Sequence, residues 1–162
     1  MTFISKLSFF RPGLMLAAAI ALYLPAQAEV KVMLAASKIV GPDGTEQKQS
    51  SDKAKPGDVI EYVAEYRNTD TRPAKNVVAT LPVPSGMEYL PQTALPGEVL
   101  ASTDGVSYSP VPLKKTVRSA TGQMVEQLVP FSEYRSLRWN LGDISGERSK
   151  SVKARMRVKS QQ

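Results

Sequence analysis

Lys153, Arg155, Arg157 and Lys159 alternate with Val152, Ala154, Met156 and Val158 near the end of a 162-residue chain. In an extended strand alternate side chains share a face and repeat every ~6.6–6.8 Å. The four cations would then form a ladder, with Arg148 and Lys150 just upstream. A ladder of this kind suits repeated phosphates or carboxylates, as in lipopolysaccharide or an acidic glycan. The same alternation is shown by the solvated outer face of any half-buried strand. Positive charge also protects an edge strand from pairing with other chains, and Glu61 or Glu65 could face the ladder from a neighbouring strand. The sequence favours the solvated face over the binding site.

Other chemistry is scarce. The chain has no histidine and no cysteine, which excludes His-dependent triads, thiol nucleophiles and the Cys/His sites that hold zinc, haem or iron–sulfur clusters. Ser37-Lys38 and Ser149-Lys150 are adjacent pairs, and in a strand adjacent side chains point to opposite faces, so neither lysine activates its serine. Asp43-Gly44 lacks the companion carboxylates of a calcium site. The six methionines form no copper-binding cluster. Neither catalytic residues nor a cofactor or metal site is expected. Trp139 would serve sugar stacking only if exposed, but alternation in Leu137-Arg138-Trp139-Asn140-Leu141 puts it with two leucines, as a core anchor. Nucleic acid is not expected as a partner either, because no aromatics interleave with the basic residues.

The N-terminus has the three parts of a secretory signal. Lys6 and Arg11 precede an apolar run of 11 residues, Leu14 to Leu24, and Pro25 and Ala26-Gln27-Ala28 follow. Cleavage is expected between Ala28 and Glu29. A spanning helix needs about 20 apolar residues, and no second long apolar stretch follows residue 28, so no transmembrane segment is expected after cleavage. The processed chain keeps 134 of the 162 residues and loses Lys6 and Arg11, which changes the formal charge from +6 to +4. That length suits one domain able to bury roughly two-thirds of its unfolded surface without disulfides. The expected compartment is the periplasm or the cell exterior.

The elements that must position these residues read as strands. One face of the 58–67 segment carries Ile60, Tyr62, Ala64 and Tyr66, and the other carries Val59, Glu61, Val63, Glu65 and Arg67. With 152–159 it gives the firmest pair of strands. Further strands are predicted over 30–36, 76–81, 87–90 and 136–141, the last closed by Gly142-Asp143. Asp104-Gly105 marks a hairpin between 99–100 and 106–108, and Ala120-Thr121-Gly122 marks one between 115–118 and 124–129. The polar stretch 41–57 reads as a long exposed loop. Tyr62 and Tyr66 share the core face, whereas Tyr89, Tyr108 and Tyr134 lie near turns and are expected at the surface. The pattern as a whole predicts an all-β fold, an antiparallel β-sandwich, preceded by a cleavable helical signal peptide.

Several segments in order resemble a known family. Pro56-Gly57-Asp58-Val59-Ile60-Glu61-Tyr62 leading to Asn68, Ala74-Lys75-Asn76-Val77-Val78, and Leu81-Pro82 with Pro84-Ser85-Gly86-Met87-Glu88-Tyr89 are similar to successive strands of the bacterial DUF11, or conserved repeat, domain. Leu137-Arg138-Trp139-Asn140-Leu141-Gly142-Asp143-Ile144 followed by Gly146 resembles its closing element. The similarity spans about residues 56–159 and departs from the family at the paired prolines Pro82 and Pro84 and over the longer 110–133 segment. It implies an immunoglobulin-like sandwich in an envelope or surface protein, of a family with no assigned enzymatic activity; a non-enzymatic role with another envelope or surface protein as partner is the expectation. The chain divides accordingly into the signal peptide (1–28), an N-terminal strand and polar loop (29–55) and the DUF11-like sandwich (56–162), with 29–162 as one globular unit. Binding of an anionic glycan or lipopolysaccharide through Lys153, Arg155, Arg157 and Lys159 is the alternative. A third possibility is strand donation in the manner of a pilus chaperone, for which 30–36 and 152–158 are the candidate strands.

Overall fold

A computed structural model describes residues 28–42 and 44–160. The signal peptide expected over 1–28 lies outside the described residues but for Ala28. The two firmest strands form the centre of the first sheet. Strand β3 (Val59–Asn68) and strand β11 (Ser149–Val158) pair antiparallel with Ile60 opposite Met156, Tyr62 opposite Ala154 and Ala64 opposite Val152. Opposed residues share a face, so the two apolar sets merge into one buried surface. β1 (Val30–Val40) flanks β3, and β2 (Gln47–Ser50) pairs only with the far half of β1. β5 (Met87–Tyr89) closes the opposite side, giving the order β2-β1-β3-β11-β5.

The second sheet runs β4 (Ala74–Pro82), β10 (Ser136–Ile144), β6 (Leu100–Ser102) and β7 (Ser109–Pro110). Leu137, Trp139 and Leu141 face inward from β10 and are buried. Together with Ala79 and Leu81 of β4 and with Val152, Ala154 and Met156 they form one core between antiparallel sheets, a sandwich-like all-β arrangement. β8 (Lys114–Arg118) and β9 (Met124–Leu128) form a separate hairpin, anchored at its base by buried Leu113 and Val129. Among the described residues no helix is long and apolar enough to cross a membrane.

Four expectations are corrected. β10 does not stop at Gly142-Asp143: Gly142 takes a left-handed φ of 62° and forms a bulge, which shifts the inward alternation from Leu141 to Ile144. The 41–57 loop contains β2, whose sequence Gln-Lys-Gln-Ser has no apolar residue to announce it. The Asp104 hairpin is wider than a two-residue turn, because the Asp104 carboxylate organises residues 103–108 by accepting from Ser102 Oγ and the Val106 and Ser107 N–H groups. Finally, Tyr89 and Tyr134 are core residues, only 2% and 1% exposed. A 3₁₀ turn at Phe131–Glu133 brings Phe131 within 5.9 Å of the Tyr89 ring and 5.3 Å of the Tyr134 ring.

Candidate functional site

The basic ladder is built as the alternation requires, with Val152, Ala154 and Met156 inward and the cations outward. Its surroundings are acidic. β3 places Glu61 directly opposite Arg155. Arg155 Nε donates to Glu61 Oε2 at 3.2 Å, and its two terminal nitrogens grip Glu46 as a fork at 2.6 Å each. Lys48, on β2, meets Glu61 Oε1 at 2.7 Å, and Lys153 approaches Oε2 at 3.6 Å. Arg157 lies 3.6 Å from Glu88, its register partner on β5. Lys159 donates its backbone N–H to the Gly86 carbonyl and has no ion-pair partner among the described residues. Upstream, Lys150 Nζ donates to the Leu141 carbonyl at 2.6 Å.

Glu61 is 2% exposed although it lies on the outer face of its sheet, because three basic side chains cover it. Burial alone would push its carboxyl up; the hydrogen bonds from Lys48 and Arg155 and the charge of Lys153 outweigh that and hold it below the ordinary value of 4.5. The Arg155 fork likewise lowers Glu46. The ladder therefore spends most of its charge within the molecule. Sequence reasoning found the Glu61 partnership but missed Glu46 and Lys48, whose only sign was an alternating Glu-x-Lys inside a stretch read as loop. β11 is also no edge: β3 lines one side, while β5 and the Leu95–Lys153 bridge line the other. That removes both the edge-protection role of the ladder and the 152–158 segment as a donor strand. Trp139 is 1% exposed and donates Nε1–H to the Pro96 carbonyl at 2.8 Å, so it offers no stacking platform.

The other candidate strand is open. β1 pairs with β3 along Val30–Ile39, but on its far side β2 covers only Ser37–Val40. Residues 30–36 face no strand there among the described residues. Two hydrogen bonds fix the phase of this edge. Thr69 N–H donates to the Glu29 carbonyl, so the odd-numbered residues of β1 bond to β3 and the even-numbered ones point away. Consistently, the Ala36 carbonyl points outward and accepts from Ser51 Oγ at 3.3 Å. Among the described residues the outward main-chain groups of Val30, Val32 and Leu34 have no partner. Val32 and Leu34, on the core side of the sheet, are 55% and 58% exposed, and Met33, on the outer side, is 66% exposed; β4, the last strand of the second sheet, packs over β3.

The free edge of β4 is treated differently. Tyr66 Oη accepts from Thr80 N–H at 3.0 Å and donates to the Thr80 carbonyl, and Pro82 has no N–H. These are the devices by which sheet edges are closed to other chains. Among the described residues no group of three His, Cys, Asp or Glu is placed to hold a metal. Comparison of the chain with protein-family models, curated proteins and solved structures finds no match.

Proposed function

We propose that this chain is a non-enzymatic, exported envelope module, an immunoglobulin-like β-sandwich of the DUF11 type, that binds a protein by strand addition at β1. The observation that carries this is the open, apolar edge at residues 30–36, beside a β4 edge closed by side chains. Main-chain pairing would supply the affinity, with the alternating pockets beside Val32 and Leu34 supplying selectivity. The signal-like residues 1–28 favour the periplasm or the cell exterior, with cleavage between Ala28 and Glu29. The anionic-polymer alternative is weakened by the carboxylates that Arg155, Lys153 and Arg157 already engage.

The test is capture from an envelope extract by residues 29–162, washed across a salt series, with wild type beside Leu34→Lys. Strand addition predicts a partner retained at high salt and lost in the variant. A partner released by salt, indifferent to Leu34→Lys and lost in Arg157→Glu/Lys159→Glu would instead establish the basic strand as the site. Arg157 and Lys159 are chosen because Arg155 is part of the ion cluster that the fold itself uses.

A further inference from the structure

Resting on strand addition at β1, we infer that the occupant of this edge is β1 of a second copy, paired antiparallel about a two-fold axis at Val32. The unpaired outward groups belong to Val30, Val32 and Leu34. An axis at Val32 sets Val32 opposite itself and Val30 opposite Leu34 of the second copy. Every one of these groups then gains a partner, and none is left over. An axis at Met33 would set Val30 opposite Ala36, whose carbonyl Ser51 already occupies, and Glu29 opposite Ser37, where Ser50 already pairs. An axis at Lys31 would pair Val30 with Val32 but leave Leu34 facing residue 28.

The ends fit as well. With the axis at Val32, Glu29 of the second copy falls opposite Ala35 and Ala28 opposite Ala36. One residue further upstream the strand would meet Ser50, which pairs with Ser37. The open slot thus ends where cleavage between Ala28 and Glu29 would end the strand. On one face the pairing brings together Val30, Val32 and Leu34 of both copies, and on the other it sets Lys31 opposite Met33, so no like charges oppose each other. Because the interface is self-complementary, association through it stops at a dimer rather than continuing into a fibre.

The absence of native cysteine makes the test direct. Hydrogen-bonded antiparallel partners have Cα atoms about 5.5 Å apart, inside the range a disulfide spans. Among the described residues every buried core side chain lies between Ile60 and Met156, so residues 29–162 contain all of them. In that chain Val32→Cys should oxidise to a covalent dimer at least about tenfold faster than the exposed control Val106→Cys, since pairing raises the local thiol concentration. In sedimentation velocity the wild type should shift from monomer to dimer with concentration. Val32→Lys and Val32→Glu should each stay monomeric, and an equimolar mixture should recover the dimer, because only this register sets residue 32 against itself. Cross-linking no faster than the Val106→Cys control, or a mixture that stays monomeric, overturns the inference. A monomeric chain that still captures an envelope protein in a Leu34-dependent way overturns self-pairing while leaving strand addition standing. A dimer indifferent to every change at Val32 overturns the β1 interface. Circular dichroism and thermal melts confirm that the variants fold.

Discussion

Replacing Arg155 with Met keeps the aliphatic stem that covers the sheet and deletes the guanidinium. In its place Glu46 would have no fork, and Glu61 would keep only Lys48 at 2.7 Å and Lys153 at 3.6 Å. Breaking a fully buried pair costs about 3–5 kcal/mol, whereas an exposed pair is worth about 0–1 kcal/mol. Arg155 and Glu46 are about a quarter exposed and Glu61 is 2% exposed, and two other cations still compensate Glu61, so a loss of about 2 kcal/mol is expected at neutral pH. For a domain of this size that lowers Tm by roughly 6–10 °C. Arg157→Met is the control: its pair with Glu88 is 3.6 Å long and 49% and 30% exposed, and it should cost about 0–1 kcal/mol. Urea titration followed by the fluorescence of the buried Trp139 measures both. The pH dependence has a definite sign. Glu46 and Glu61 have folded pKa values below 4.5, so the stability they contribute is complete above 4.5 and is lost as pH falls below it through those folded values. The gap between wild type and Arg155→Met should therefore close in acid. Equal losses for the two arginines, or a gap that persists far below 4.5, would refute the assignment of Arg155 as the centre of the cluster.

Asn68→Asp should destabilise by at least about 2 kcal/mol, because the buried Nδ2 donates to the Arg72, Ile144 and Ser145 carbonyls and a carboxylate would face those oxygens instead; chemical denaturation reads the loss. Tyr134→Phe removes the hydroxyl that accepts from Leu113 N–H at 2.7 Å. The buried donor left behind should cost about 1–3 kcal/mol and loosen the base of the β8–β9 hairpin, visible as faster amide exchange at Leu113. Gly146→Ala places a methyl into the Thr71 carbonyl, so the β10–β11 turn and the β3–β4 turn cannot both keep their positions. A drop in Tm comparable to that of a core truncation is expected.

β3 and β11 were legible because each buries one face strictly, and a period of two survives wherever packing selects alternate residues. Trp139 was legible for the same reason. Asn68 and Gly146 stood out only as parts of a family-like pattern; the structure gives each a physical role, the first as a three-carbonyl donor and the second as the point where two turns touch. β2 was invisible because none of its side chains is buried, so no packing constraint was written into its sequence. Tyr89 and Tyr134 were misplaced because nearness to turns signals the surface only when the turn itself is peripheral; the 131–133 turn folds inward and carries its neighbours with it. Strand order was beyond reach too. Nothing local says that β5 lies beside β11, and this is what makes the basic strand an interior one.

The contrast between β1 and β4 bears on what residues 30–36 are for. Apolar side chains in a strand ordinarily answer to burial, each contributing about 1.5–3 kcal/mol when fully covered. Val32 and Leu34 point to the same side of their sheet as the buried Tyr66 and Ala64 opposite them, yet more than half of each is exposed. Their apolar character therefore stabilises the isolated molecule little, and Thr at either position should leave its melting temperature nearly unchanged. Folding alone would equally have allowed the closure seen over Thr80–Pro82 of β4, where a tyrosine hydroxyl and a proline take up the main-chain positions another strand would use. β1 has no proline, and its one charged residue within 30–36, Lys31, lies on the opposite face from Val32 and Leu34. The association proposed for this edge would satisfy both these side chains and the unpaired backbone beside them together.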